Sequence, residues 1–154
     1  MSTLRAITLR APWSEAVAVG AKLVENRAVN IKWRGEIAIH AGMQADPAAD
    51  SDSRIIGLLG ENASHAATRG AIVAVARLVG CHQARQPDDP SLTCCGRWGM
   101  RLYRGKPAWH LVLADVRRLP KPVPCRGYLH IGWWAKDAVE AEVRAQLDSS
   151  LSAA

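Results

Sequence analysis

The chain has 154 residues, 49% hydrophobic and 22% charged, the size and balance of one soluble domain that buries about two-thirds of its unfolded surface without a staple. Its four cysteines, at positions 81, 94, 95 and 125, form no disulfide framework, and the opening MSTLRAITLR lacks the apolar stretch of a secretory leader. No run approaches the roughly 18 apolar residues of a membrane span, so membrane and secreted classes are set aside and a cytoplasmic protein with reduced thiols is expected.

The formal charge of +6 is unevenly spread. Between Pro90 and Ile131 eight basic residues (Arg97, Arg101, Arg104, Lys106, Arg117, Arg118, Lys121 and Arg126) face a single acid, Asp115, a local +7. Such asymmetry favours a polyanionic partner, since each phosphate contact releases condensed counterions. The alternative is a solvated basic surface. The aromatics are six Trp, two Tyr and no Phe, rings that combine a broad stacking face with a polar handle.

Leu4–Leu9 reads as a first strand, stopped at Ala11-Pro12. Pro12 suits the first turn of a short helix, Ser14–Val19, that Gly20 ends. Lys22–Arg27 is short and extended. Trp33-Arg34-Gly35 turns the chain into a strand, Glu36–Ala41, with Ile37, Ile39 and Ala41 on one face and Ala38 and His40 on the other. Met43–Ser53 reads as a loop and the segment near Ser53–Asn62 as a weakly amphipathic helix. Ala71–Gly80 is nearly all apolar, as suits a strand covered on both sides. Pro87-Asp88-Asp89-Pro90 predicts a turn. Trp109–Arg117 is a long strand that the prolines at 120, 122 and 124 are expected to break. Tyr128–Ile131 reads as a short closing strand, and Ala135–Leu147 as a helix with Ala135, Val139, Val143 and Leu147 on one stripe. Ser149–Ala154 should fray. Many strands with few helices between them argue against a doubly wound fold; the expectation is a single α+β domain over residues 1–154, core about 4–147, built as a small β-barrel of mixed strands flanked by short helices.

The segment Gly20-Ala21-Lys22-Leu23-Val24-Glu25-Asn26-Arg27 resembles the G-x-K-x-x-E-x-R signature of the ASCH family. Ala11-Pro12-Trp13, Trp33-Arg34-Gly35-Glu36 leading into Ile39-His40-Ala41, Gly70-Ala71-Ile72-Val73, His110–Val116 and Pro124-Cys125-Arg126-Gly127 resemble further family segments in consistent order over about residues 4–134. The resemblance implies a PUA-like barrel with a cleft beside the first helix, lined by the signature residues. It also implies RNA or nucleotide binding, with some members acting as enzymes: one branch deacetylates acetylcytidine, and at least one bacterial member is a ribonuclease.

Within the signature, Glu25 can accept the amino hydrogens of a base and Arg27 can grip phosphate or a carbonyl bidentately. The same residues could instead be a structural ion pair. The amidohydrolase branch needs a hydroxyl nucleophile three residues after its lysine; here that residue is Glu25, with Ser14 on the neighbouring helix. That activity is therefore not carried over. Metal-independent RNA cleavage needs a base, an acid and cations for the phosphorane charge, and Lys22, Glu25, Arg27, Lys32, His40 and Tyr103 include such groups. His40 and His110, each within an apolar strand, read more simply as buried, hydrogen-bonded histidines. Trp13, Trp33 and Trp98 are candidates for a base-stacking platform, whereas Trp109, Trp133 and Trp134 read as core or hinge packing. Cys81-His82, Cys94-Cys95 and Cys125 contain no C-x-x-C pair, so buried thiols are expected rather than a metal site.

The leading expectation is a binding module for RNA or a nucleotide. Its cleft would use Trp13, Ser14, Lys22, Glu25, Arg27, Lys32, Trp33, Arg34, His40, Trp98, Tyr103 and Arg126, with no cofactor and no membrane partner. The alternatives are a metal-independent ribonuclease or modified-nucleoside-processing enzyme using Lys22, Glu25 and Arg27, and a regulator whose cleft recognises a protein carboxylate.

Overall fold

The computed structural model describes residues 1–85 and 94–153; the turn expected at Pro87–Pro90 lies outside the described residues. The first strand, β1 (Arg5–Ala11), leads through a cis Ala11–Pro12 bond into α1 (Trp13–Ala18), after which Gly20 turns the chain at φ +82°. Next come β2 (Val24–Arg27) and β3 (Gly35–Ala45). A 3-10 turn (Pro47–Ser51), α2 (Ser53–Leu59) and the short α3 (Ala63–Ala66) then lead to β4 (Ala71–Gln83). A second 3-10 turn (Gly96–Trp98) precedes a small hairpin of β5 (Leu102–Tyr103) and β6 (Lys106–Pro107). The chain ends with β7 (Trp109–Pro124), β8 (Trp133–Trp134) and α4 (Asp137–Ser152). Among the described residues no helix is long and apolar enough to cross a membrane.

Six strands form one sheet in the order β2-β7-β4-β3-β1-β8. All neighbours are antiparallel except β1 and β3, which run parallel with Ile7 opposite Ile39 and Thr8 opposite His40. Strand alternation sends side chains to two cores. Ile7, Leu9, Ile37, Ile39, Ala41 and Leu78 pack on one face with Val17 and Ala18 of α1. On the other, Ala6, Ala38, Ile72 and Val75 pack with Val143 and Leu147 of α4. The split of β3 is the one its sequence alternation predicts; of the expected stripe, Val143 and Leu147 are buried on α4 and Val139 is half-buried there, while Ala135 is buried just before the helix begins. A third cluster, with Ala16, Val24, Ile55 and Trp98, joins α1 to α2 and α3.

The α+β class is as expected, but the barrel is not. The sheet curls without closing: β2 and β8 are its two edges, and among the described residues no backbone ladder joins them. The reason is local. With only Arg5 and Ala6 in the ladder to β8, the outer edge of β1 is unpaired beyond Ala6, and there the Arg27 guanidinium of β2 reaches across to donate to the Thr8 carbonyl at 2.8 Å. A side chain bridges the seam that strand pairing would have closed.

Several element boundaries also differ from expectation: β3 runs on to Ala45 and a 3-10 turn follows where a loop was expected, and α4 starts at Asp137 rather than Ala135. The prolines at 120, 122 and 124 do not end β7. Residues 119–122 bulge between the pairs Ile72–Val123 and Ala74–Arg118, a placement that spares Pro120 and Pro122 any ladder bond. Gln146 of α4 accepts the exposed Lys121 N–H at 2.9 Å. The closing strand is Trp133–Trp134 rather than Tyr128–Ile131, because the pairs Arg5–Trp134 and Ala6–Trp133 place it. Helix α4 continues to Ser152, where Ser149, Ser150 and Ser152 donate to carbonyls one turn back.

Candidate functional site

The signature residues meet at the seam. Lys22 lies just before β2, its N–H bonded to the Ala16 carbonyl of α1. Its side chain is buried, with Nζ donating to the Val24 carbonyl at 2.5 Å and to Glu25 Oε2 at 3.2 Å. On the other carboxylate oxygen, Arg27 Nε stands 3.5 Å from Glu25 Oε1. One carboxylate is thus held between two cations, a row carrying net charge +1. Glu25 and Arg27 keep 15% and 20% side-chain exposure, against 5% for Lys22, so solvent reaches the outer pair only. Both of these Lys22 contacts are made within its own turn and strand. Ser14 is buried, and its hydroxyl has no hydrogen-bond partner among the described residues.

Trp13 borders the seam from the start of α1. Its indole N–H donates to Asp46 at 2.9 Å, and its ring lies 6.0 Å from Lys22 Nζ and edge-on to Trp98 at 6.5 Å. The three candidate platform tryptophans do not form one surface. Trp98 is buried, with Arg54 and Arg97 stacked at 4.7 and 4.9 Å. Trp33 contacts Arg5, at the far end of β1, whose guanidinium lies 4.6 Å from Trp33 and 4.4 Å from Trp134. Trp134, expected to pack inside, is exposed, whereas Trp133 is buried. Lys32 and Arg34 are exposed, Arg34 donating to carbonyls of its own turn, Ile31 at 2.6 Å and Trp33 at 2.9 Å.

His40 sits on the opposite face of the sheet. It is buried between Thr8 Oγ1, 3.2 Å from Nδ1, and the Cys125 carbonyl, 2.9 Å from Nε2, and burial pushes its pKa down despite that carbonyl. This is the hydrogen-bonded structural histidine expected of an apolar strand. With Thr8, Met43 and Tyr128 it borders a surface cavity of about 500 Å³, and Arg126 stacks at 5.4 Å on Tyr128 at its rim. Tyr103, in the small hairpin, carries Arg104 at 5.3 Å.

The basic stretch is partly neutralised by acids from elsewhere, with Arg117 on Glu36 at 2.8 Å and Arg118 on Glu15 at 2.5 Å. Two of the eight cations of that stretch are thus paired with acids from other segments.

A second cluster joins His110 to His82, Cys94 and Cys95, which sequence spacing had set aside as a metal set, and all four cysteines are half-buried rather than buried as expected. Register places His82 of β4 directly opposite His110 of β7, and the Cys94-Cys95 turn folds over both, so that four ligand atoms lie within 4.8 Å of one another. Counting spacings along the chain cannot find a set assembled from three segments; the pairing register could have. Burial pushes the His82 pKa down and the Cys95 thiol up.

No family model matches the sequence, and no curated protein matches it. Solved structures do. ASCH from Zymomonas mobilis superposes with a TM-score of 0.55 at 15% identity, covering 92% of this chain and 94% of that one. A tyrosine-to-phenylalanine variant of the same protein gives 0.54 at 15% identity over 92% and 96% of the two chains. The chain has the ASCH fold. At this identity the likeness extends to the ASCH fold and not to its chemistry.

Proposed function

We propose that this ASCH-fold protein is an RNA- or nucleotide-binding module whose ligand engages the seam between β1 and β2. One observation carries the reading: a carboxylate and a guanidinium, Glu25 and Arg27, stay partly open to solvent while buried Lys22 and the Thr8 carbonyl fix their geometry. Such a pair offers an acceptor for the amino group of a base and a planar donor for phosphate or a base carbonyl. Trp13 supplies an aromatic edge beside it. The bonds that already occupy Lys22 favour binding over chemistry.

The test is fluorescence anisotropy of a labelled mixed-sequence RNA across a salt series, for the wild type, Glu25→Gln and Arg27→Lys, with Arg126→Met as a control on the other face. Expected is binding whose log affinity falls linearly with log salt, weakened by both seam variants and little changed by the control. Wild-type binding that is absent, insensitive to salt or lost only with Arg126 would overturn the reading. RNA cleavage abolished by Lys22→Ala would replace it with an enzyme.

A further inference from the structure

We infer that His82, Cys94, Cys95 and His110 form a structural zinc site that pins the turn carrying Trp98 onto the sheet. Zinc takes four nitrogen and sulfur ligands tetrahedrally at about 2.0–2.1 Å for nitrogen and about 2.3 Å for sulfur, which sets ligand sulfur and nitrogen atoms about 3.6 Å apart. Here Cys94 Sγ is 3.8 Å from His82 Nε2 and 3.4 Å from His110 Nδ1, and Cys95 Sγ is 3.2 Å from His82 Nε2. These separations bracket the tetrahedral edge. Two thiolates and two imidazoles are also the donor set that selects zinc over the harder divalent ions.

The surroundings are built for ligation. His110 is fully buried, and its Nε2 is 2.7 Å from the Met100 carbonyl. That bond puts the ring proton on Nε2 and leaves the Nδ1 lone pair aimed at the cluster, the outer-shell arrangement of metal-bound histidines. The Arg85 backbone N–H points at Cys94 Sγ from 3.4 Å. Adjacent cysteines seldom converge on one ion, but Cys95 at φ +66° and Gly96 at φ +68° turn the chain through two successive left-handed residues, so both thiols join the cluster. Gly99 completes the fit: a Cβ there would stand 2.4 Å from the Cys94 carbonyl oxygen and 3.0 Å from the His110 ring. Asn26 anchors the far side of the turn, donating to the Trp98 carbonyl and accepting from Met100 N–H, both at 2.9 Å. With four protein ligands and no open position the site is structural. It would fix Trp98, and through it the edge contact with Trp13.

The test is the metal content of the full chain purified without chelator, followed by cobalt(II) exchange and visible absorption. About one zinc per chain, and a tetrahedral cobalt spectrum with thiolate charge-transfer bands, are expected. Cys95→Ser and His82→Ala should lose the metal, whereas Cys81→Ala and Cys125→Ser, which alter thiols outside the cluster, should keep it. If the cluster variants do not fold, the wild-type cobalt spectrum decides alone, because charge-transfer intensity reports thiolate ligation directly. A folded wild type that holds no zinc and gives no thiolate–cobalt band would overturn the proposal. So would an unreduced, metal-free chain lighter by the two hydrogens of a Cys94–Cys95 disulfide.

Discussion

Replacing Arg27 with Met removes the bridge across the open seam while keeping most of the apolar stem. The lost bond is a charged donor to the Thr8 carbonyl at 2.8 Å, a class that contributes about 1.5–3 kcal/mol. The 3.5 Å contact with Glu25, between side chains 20% and 15% exposed, adds at most about 1 kcal/mol, and Glu25 keeps Lys22. Net destabilisation should be about 2–3 kcal/mol. For a chain of this length that lowers Tm by roughly 4–12 °C. Urea unfolding at neutral pH should show a lower midpoint at an unchanged slope, which marks lost stability and not a changed denatured state. Arg34→Met provides the comparison, since among the described residues exposed Arg34 donates to carbonyls of its own turn, and should cost under about 1 kcal/mol. An Arg27→Met chain within about 0.5 kcal/mol of wild type would refute the idea that this guanidinium holds the seam.

Three further outcomes follow from the packing. A Cβ at Gly127 would stand 2.4 Å from His40 Cε1 and 2.6 Å from Thr8 Oγ1, so Gly127→Ala should cost about 1–3 kcal/mol in urea unfolding through overpacking. Leu147→Ala, in the stripe that seats α4, should cost about 2–4 kcal/mol by the same measurement. Burial pushes the Glu140 carboxyl up, but hydrogen bonds from Ser2, Thr3 and Leu4 outweigh it and hold the pKa at about 2. A carboxyl depressed in the folded state stabilises fully above its unfolded pKa, near 4.5, and loses that stabilisation as pH falls toward 2. Because its partners lie at the solvated start of the chain, the contribution should be about 1–2 kcal/mol. In pH-dependent unfolding, Glu140→Gln should be less stable than wild type at pH 7 and converge with it near pH 2.

Much of the architecture was legible because strand alternation needs no partner to be read. Ile37 and Ile39 against Ala38 and His40, and Val139, Val143 and Leu147 of α4, land on the faces their periods require. What failed depended on contacts distant in sequence. The prolines of β7 signalled a break, yet a bulge accommodates two of them and Gln146 supports the exposed backbone. Barrel closure was read from the run of mixed strands as well as from family resemblance, but the short reach of β8 leaves the seam to Arg27. At the site, the spacing of Lys22, Glu25 and Arg27 was informative since all three lie within one turn and strand. The tryptophan platform was not: Arg54 covers Trp98 and Arg5 covers Trp33 from remote positions. His82 and His110 are 28 residues apart and meet only through the pairing of β4 with β7.

The proposed binding seam is most directly tested by two-dimensional NMR of the six indole N–H groups and the Arg27 side chain during titration with short RNA oligonucleotides. The account predicts progressive shifts at Trp13 and Arg27, with the Trp133 indole, buried on the other face and bonded to Thr8 Oγ1, left nearly unmoved. Saturating RNA that moves none of these signals, or moves only those around Arg126 and Tyr128, would contradict it.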